Sequence, residues 1–264
     1  MNRLIRAELR RLFTTPLWKW GPPVAVLSGG ALTAMAVLVG PENFDPPMPG
    51  IETEAGARLV LSLIGFTVLA PALFGALAVT SEYRHGTITY TFLFAPQRHQ
   101  VLAAKLAAYA VAGTGYGLIV AGSAAAGLYG GAAIRGVEVG APVGTAAGIL
   151  AGLAVTMTAY TVIGVGVGAL LREQTAALAV LGAYLYMVEH LLAVIPGVSA
   201  VYPFLPGGAT AALTQASLMG EAAIEVTGSA TALLPPALGA LVLLAYALLA
   251  AGAAVLLPLR RDVT

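Results

Sequence analysis

The chain has 264 residues, 59% hydrophobic and only 9% charged, with a formal net charge of +1 and no cysteine. A soluble globule carries about a quarter charged residues, so a water-coated fold is excluded, and the apolar runs are long enough to cross a bilayer repeatedly. The lack of cysteine removes disulfides, thiolate metal sites and cysteine nucleophiles. Lys19 and Lys105 are the only lysines among the 13 basic residues, and with abundant Ala and Gly this bias fits a high-GC bacterial genome.

Residues 3–15, RLIRAELRRLFTT, read as an amphipathic helix. Ile5, Leu9, Leu12 and Phe13 fall on one face at i, i+4, i+7 and i+8, with Arg3, Arg6 and Arg10 on another. That pattern predicts a helix lying in the cytoplasmic membrane interface; a charge cluster that only orients the chain is the plainer alternative. Pro16 should end it, and Trp18 and Trp20 suit the headgroup level at the entry to the first span. The basic stretch is long, and no A-x-A-like site closes the first apolar run, which argues against a cleavable signal peptide.

Six membrane helices are expected at roughly 20–39, 59–80, 101–130, 144–171, 175–195 and 237–257, in a single transmembrane domain covering residues 1–264. One side of such a bundle gathers Arg3, Arg6, Arg10, Arg11, Lys19, Arg84, Arg98, Lys105, Arg172, Arg260 and Arg261; the other keeps Arg58 and Arg135. The positive-inside rule then makes both termini cytoplasmic. The acids Glu42, Asp45, Glu52, Glu54, Glu138, Glu221 and Glu225 lean to the outer side.

Between the second and third spans, residues 81–105 read SEYRHGTITYTFLFAPQRHQVLAAK. Glu82, Arg84, His85, Arg98, His99 and Lys105 are too many charges for hydrocarbon, so the segment must face water or another protein. Ser81 is expected to cap a helix, Glu82 to sit in that helix's positive first turn, and Pro96 to break the run. The whole reads as a short cytoplasmic docking element. A solvated loop that only helps set topology is the alternative.

Residues 196–236 form an unusually apolar outer loop, cut by Pro196, Pro203, Pro206 and Gly207-Gly208 into pieces too short to span. Such pieces fit half-helices that re-enter the membrane where protein buries their backbone. Just before them, Glu189 and His190 are the only acid and histidine inside an expected span. Intramembrane ionisable residues point to function by default: a polar contact to substrate, or a proton-sensitive latch to the loop. The plainer role is that Glu189 hydrogen-bonds the loop backbone and neither residue touches substrate. Neighbours on a helix point about 100° apart, so the two are not expected to act on one ligand together.

Catalysis in this chain is not expected. His85, His99 and His190 lie on different sides of the membrane and make no H-E-x-x-H pattern, so no metal site is expected. No G-x-S-x-G elbow occurs. Gly164-Val-Gly166-Val-Gly168 is a glycine stripe inside a span, without the strand-turn-helix setting of a phosphate loop. No G-x-x-x-x-G-K-[ST] sequence is present either, so ATP is not bound by that route.

Glu82, Arg84, Gly86, Thr87, Pro96, Arg98 and Lys105 trace an E-x-R-x-G-T … P-x-R … K pattern after the second span. It resembles the signature segment of ABC-2 type (type V fold) exporter permeases. The six-span layout, the basic amphipathic N-terminus, the re-entrant segment and Tyr202-Pro203 … Leu205-Pro206-Gly207 are also similar to that family, so the resemblance covers essentially the whole chain. It implies an all-α polytopic membrane protein with an N-terminal interfacial helix, a cytoplasmic coupling helix at roughly Ser81 to Phe94, and a re-entrant external segment before the last span. Ser81, Glu82, Tyr83, Arg84, His85, Gly86, Thr87 and Arg98 would then form the contact with a nucleotide-binding subunit. Glu82 and Arg84 would make charge-assisted contacts to that subunit or within the transmission interface.

The same resemblance implies a half-transporter in the bacterial cytoplasmic membrane, paired with a second copy and driven by a separate cytoplasmic ATPase that holds the ATP and Mg. Membrane lipid would surround it, and no nucleic acid partner is implied. Its apolar pathway points to an amphiphilic or hydrophobic cargo: a drug, a peptide or a lipid-like molecule. Small-x-x-x-small spacings at Gly113/Gly117, Gly127/Gly131, Gly148/Gly152 and Gly164/Gly168 offer close-packing faces without assigning one to a dimer. The competing expectations are a secondary transporter or channel that needs no ATP, and a membrane subunit that senses or anchors a partner without transporting.

Overall fold

Long runs of Leu, Ala, Val and Gly can satisfy their backbone polar groups in an apolar setting by hydrogen-bonding within helices, without partner strands. The computed structural model describes residues 2–44, 47–94, 97–195, 199–216 and 232–256, and among these no strand occurs. Six helices are long and apolar enough to cross a membrane: Trp18–Val39, Glu54–Arg84, His99–Arg135, Val143–Leu171, Gln174–Ala193 and Pro236–Leu256. The chain is thus built as a multi-pass membrane protein, with the spans where the hydropathy pattern puts them.

The described helices are α1 (Asn2–Thr14), α2 (Pro16–Val26), α3 (Leu32–Val39), α4 (Glu54–Ser62), α5 (Leu69–Arg84), α6 (Ile88–Phe94), α7 (Arg98–Arg135), α8 (Val143–Leu171), α9 (Gln174–Ala183), α10 (Glu189–Val194), α11 (Pro206–Thr214) and α12 (Pro236–Leu256). Three spans change pitch midway. A π-helical turn at Leu27–Ala31 joins α2 to α3, a 3-10 stretch at Leu63–Thr67 joins α4 to α5, and a π-helical turn at Tyr184–Val188 joins α9 to α10. Single π turns are rare and gather at functional sites, and the last one sits directly before Glu189.

α8 is the hub of the bundle, packed against α5, α7 and α12. Glycine makes this possible. A Cβ on Gly164 would strike the Ala72 carbonyl, one on Gly168 the Ala76 carbonyl, and one on Gly75 the Thr161 carbonyl, so α5 and α8 run almost backbone to backbone. Gly113 and Gly117 seat α7 on Thr161 and Ala154 of α8, while Gly127 and Gly131 seat it on the first span at Gly30 and Val37. Gly152 meets Leu213 of α11, whereas Gly148 has open space around it. Nearly all the glycine pairs are therefore consumed inside the subunit.

The core along α8 includes Ile149, Leu153, Met157 and Tyr160, with Leu61, Ile64, Leu128 and Leu243 from the spans around it. A smaller apolar cluster at the basic end joins Ala78, Val79, Ala108, Tyr109, Val165 and Ala169. Ile5, Leu9 and Leu12 of α1 pack onto this second cluster, while Arg3, Arg6 and Arg10 stay exposed. The amphipathic pattern thus turns its apolar face onto the bundle itself. Phe13 departs from that face: it is exposed and meets Trp18 edge-on, ring centroids 4.4 Å apart.

After the fifth span, a 3-10 turn at Ser199–Phe204 leads into α11, nine residues long and too short to span. α11 is buried along most of its length against α12 and α8. Pro196 and residues 217–231 of the expected re-entrant segment lie outside the described residues, as do Pro96 and the basic tail Arg260-Arg261.

Candidate functional site

The docking segment does not fold as its cap chemistry predicts. α5 runs uninterrupted through Ser81 to Arg84, so Ser81 is inside a helix and Glu82 lies in its last turn rather than in a first one. The helix ends at His85, whose Nδ1 lies 2.8 Å from the Ser81 carbonyl, and Gly86 takes a left-handed φ of 66°. Glycine enters that conformation without the Cβ penalty, which lets the chain reverse there. A seven-residue helix, α6, follows at Ile88–Phe94, so the separate helix is half the length expected for Ser81 to Phe94. The competing influence is the continuity of the span: an unbroken run of helix-compatible residues carries α5 past a possible N-cap.

This continuation draws Glu82 under cover. It is fully buried, and so is Lys105 at 3% exposure, about two helical turns into α7. Lys105 Nζ donates to Glu82 Oε1 at 2.5 Å and to Glu8 Oε2 of α1 at 2.8 Å. Arg11, also on α1, donates to Glu82 Oε1. Lys105 Nζ further stands 6.0 Å from the Tyr109 ring centroid. Two acids and two bases thus pin α1, the end of α5 and the start of α7 together. A buried carboxylate with that many cationic donors is compensated, and each partner depends on the others.

Around this knot Arg84, His85, Gly86 and Thr87 are exposed, while Ser81 and Tyr83 are half-buried. Arg84 donates to Gln174 Oε1 at 3.2 Å at the start of α9, and the Arg172 guanidinium stands 5.8 Å from the Tyr83 ring. Thr87 Oγ1 lies 3.5 Å from the Glu82 carbonyl. On α6, Ile88 is buried, whereas Tyr90 and Leu93 are 67% and 71% exposed. Arg98 opens α7. Of the predicted residues, Ser81 through Thr87 share the basic end with the start of α7 at Arg98; Glu82 faces inward, Ser81 and Tyr83 are half-buried, and Arg84, His85, Gly86 and Thr87 are exposed.

Glu8 and Arg11 were not among the sequence candidates. A signal exists: Glu8 is the lone acid in an otherwise basic α1, four residues from Leu4 and Leu12 and adjacent to the apolar stripe. Glu173 is likewise new. Its side chain caps α9 by accepting from the Thr175 and Ala176 amides, and those two hydrogen bonds, that of Ala176 foremost, hold its carboxyl below the usual range.

At the opposite end, Arg135 in the last turn of α7 pairs with Glu42 and donates to the Val37 carbonyl at 3.1 Å, tying the third span to the first. Hydrogen bonds from the backbone and from Arg135 hold the Glu42 carboxyl below its ordinary value. Deeper in the bundle, Glu189 is 3% exposed beside a cavity of about 70 Å³ whose walls include Phe66, Tyr160, Tyr186, His190, Tyr202 and Thr210. The Tyr184 hydroxyl and the Gly207 amide approach its carboxyl, and a Cβ on Gly207 would strike Glu189 Oε2. Glu189 does therefore touch the start of α11. Its Oε1 nevertheless has no hydrogen-bond partner among the described residues, and neither does His190 Nδ1. His190 lines the same cavity as Glu189, so the two neighbours converge more than the 100° step between them suggests.

The fold defines a helical membrane protein with six candidate spans, a charged knot at one end and an acidic, aromatic cavity toward the other. No family model and no curated protein matches the chain.

Proposed function

We propose that the chain is the membrane-spanning subunit of an ATP-driven exporter of the ABC-2 type, paired with a second permease copy and powered by a separate cytoplasmic ATPase. The observation that carries this reading is α6 and its mounting. A short helix presents Tyr90 and Leu93 to the outside at the basic end, and the helices on either side of it are locked by Glu82 and Lys105. Exposed apolar side chains on a rigid mount suit a docking surface. The buried ion pairs give a stiff route from that surface into α1, α5 and α7, as a rigid-body transmission requires.

Within this reading the basic end is cytoplasmic, in a bacterial inner membrane, and α11 is part of a re-entrant outer segment. Arg84 and His85, exposed beside α6, serve contact with the ATPase, whereas Glu82 serves transmission. Closure of the ATPase pair on ATP pushes α6, and the knot passes the push to the spans. An apolar groove of about 540 Å³ between α7, α8 and α12, and another of about 270 Å³ beside α1 and α2, suit amphiphilic cargo or a second copy better than a polar solute. Catalysis and cofactor binding belong to the partner.

Affinity purification of the tagged chain from its native membrane, with crosslinking through Tyr90 and Leu93 and mass spectrometry, tests the proposal. Stoichiometric recovery of an ATPase carrying a Walker A sequence is the expected result. Recovery of no ATPase after crosslinking would favour the second reading, an ATP-independent carrier or channel. One observation speaks for that reading: Glu189 Oε1 is a buried acceptor within a candidate span and has no partner among the described residues, as expected of an ion-coupled carrier.

A further inference from the structure

Glu189 follows the π-helical turn Tyr184–Val188, which advances the helix out of register just before its carboxyl reaches the cavity between the 3-10 stretch Leu63–Thr67, α8 and α11. Burying a carboxylate oxygen with no donor is costly. At 3% exposure Glu189 has little access to bulk water, and among the described residues its Oε1 has no donor, so a donor brought into the cavity would satisfy it. His190 Nδ1, buried on the same wall and without a partner among the described residues, is a second acceptor when the ring carries its proton on Nε2. No lysine or arginine lines the cavity among the described residues.

The rest of the wall selects among donors. Phe66, Tyr160, Tyr186 and Tyr202 surround the two acceptors, and the His190 ring lies 6.1 Å from Phe66 and 6.4 Å from Tyr186, centroid to centroid. Aromatic faces attract a cation but give it no oxygen ligands. A hard metal ion takes six or more oxygens, whereas among the described residues no group of three His, Asp or Glu comes together to hold a metal. An ammonium group needs less: acceptors for its three N–H donors and π faces around its carbon stem. At roughly 10–15 Å³ per water, the 70 Å³ cavity takes that group and the first methylenes, not a whole amphiphile.

We propose that this cavity binds the primary ammonium group of an amphiphilic amine. Glu189 Oε1 is the counter-charge, His190 Nδ1 the second acceptor, and Phe66, Tyr160 and Tyr186 the aromatic walls. The group comes either from a free amine, cargo included, or from the ethanolamine headgroup of a membrane lipid. The site is independent of the energy source, and its binding is measured with no ATPase present.

The experiment uses the full chain in phosphatidylcholine nanodiscs, titrated with octylammonium and, in parallel, with octan-1-ol, by calorimetry. Wild type should bind octylammonium saturably and at least about tenfold more tightly than the alcohol, the worth of one charge-assisted contact. Glu189→Gln should lose about tenfold or more for the ammonium and leave the alcohol unchanged. Phe66→Leu, which keeps an apolar wall, should weaken the ammonium about two- to tenfold and serves where Glu189→Gln fails to fold. Equal affinity for amine and alcohol, undiminished binding by the variants, or displacement of octylammonium by sodium would overturn the proposal. Repeating the titration in nanodiscs containing phosphatidylethanolamine assigns the source. An apparent affinity that falls as that lipid rises identifies the headgroup as occupant, and an unchanged one identifies the free amine.

Discussion

Lys105→Met is the sharpest perturbation of the charged knot. Lys105 is 3% exposed and is the only residue that touches both Glu8 and Glu82 among the described ion pairs, at 2.8 and 2.5 Å. Its removal leaves Glu82, itself fully buried, with Arg11, whose side chain is 36% exposed and therefore partly screened, and it deprives Glu8 of that cation. Breaking a buried pair by deleting one partner costs about 3–5 kcal/mol, most of it from the charge left behind. The apolar contacts of Ile5, Leu9 and Leu12 survive the change, so α1 should loosen before the bundle unfolds. Reversible unfolding in mixed micelles gives the free energy. Emission from Trp18, which stacks edge-on with Phe13, and proteolysis after Arg6 or Arg10 report on α1. The triple variant Lys105→Met, Glu8→Gln, Glu82→Gln should recover much of the loss, because no uncompensated charge remains. A cost below about 1 kcal/mol for Lys105→Met, or a triple variant no more stable than the single one, would refute the claim that the knot is a compensated buried network.

Four further outcomes are expected. Gly164→Ala should destabilise by about 1–3 kcal/mol, since its Cβ meets the Ala72 carbonyl, whereas Gly148→Ala, with open space, should be neutral or gain up to about 1 kcal/mol; chemical denaturation of both checks this. Arg135→Ala should cost no more than about 1 kcal/mol, because its partner Glu42 is 38% exposed. Charge reversal at Arg84, and Tyr90→Ala with Leu93→Ala, should abolish ATPase recovery while leaving thermal midpoints unchanged, as these side chains are exposed. Glu173 has a folded pKa below its unfolded value of about 4.3, so its cap is fully present above that pH and is lost as pH falls through the folded value. Glu173→Gln should therefore flatten the acid limb of the stability curve and change little at pH 7.

The spans were legible because a bilayer leaves little freedom. Length and apolarity decide where a helix crosses, and the six expected runs differ from the observed ones by a few residues at each end. The ends differ most where a span meets charge. Glu54 to Arg58 joins the second helix because Thr53 caps it, accepting from the Gly56 amide, and Ser81 to Arg84 joins it because nothing breaks the helix before Gly86. Hydropathy sees the charges and stops early; the backbone does not.

Glu82 is the instructive case for the site. Read alone, an acid behind a serine is a first-turn residue facing solvent, and its reversal would be a mild test of docking. In the bundle it lies in a helix's last turn, where the dipole disfavours a carboxylate, and it is buried as well. Both costs are met by Lys105 and Arg11, which come from other helices 23 and 71 residues away. No local rule can supply partners at that separation, since the pairing exists only once α1 has folded back over the mouth of α5 and α7. The consequence is practical. Reversing Glu82 places a third cation against Lys105 and Arg11 in a dry site and should prevent folding, so Arg84, which is exposed and whose bond to Gln174 is long at 3.2 Å, is the position from which docking is tested without disturbing the fold.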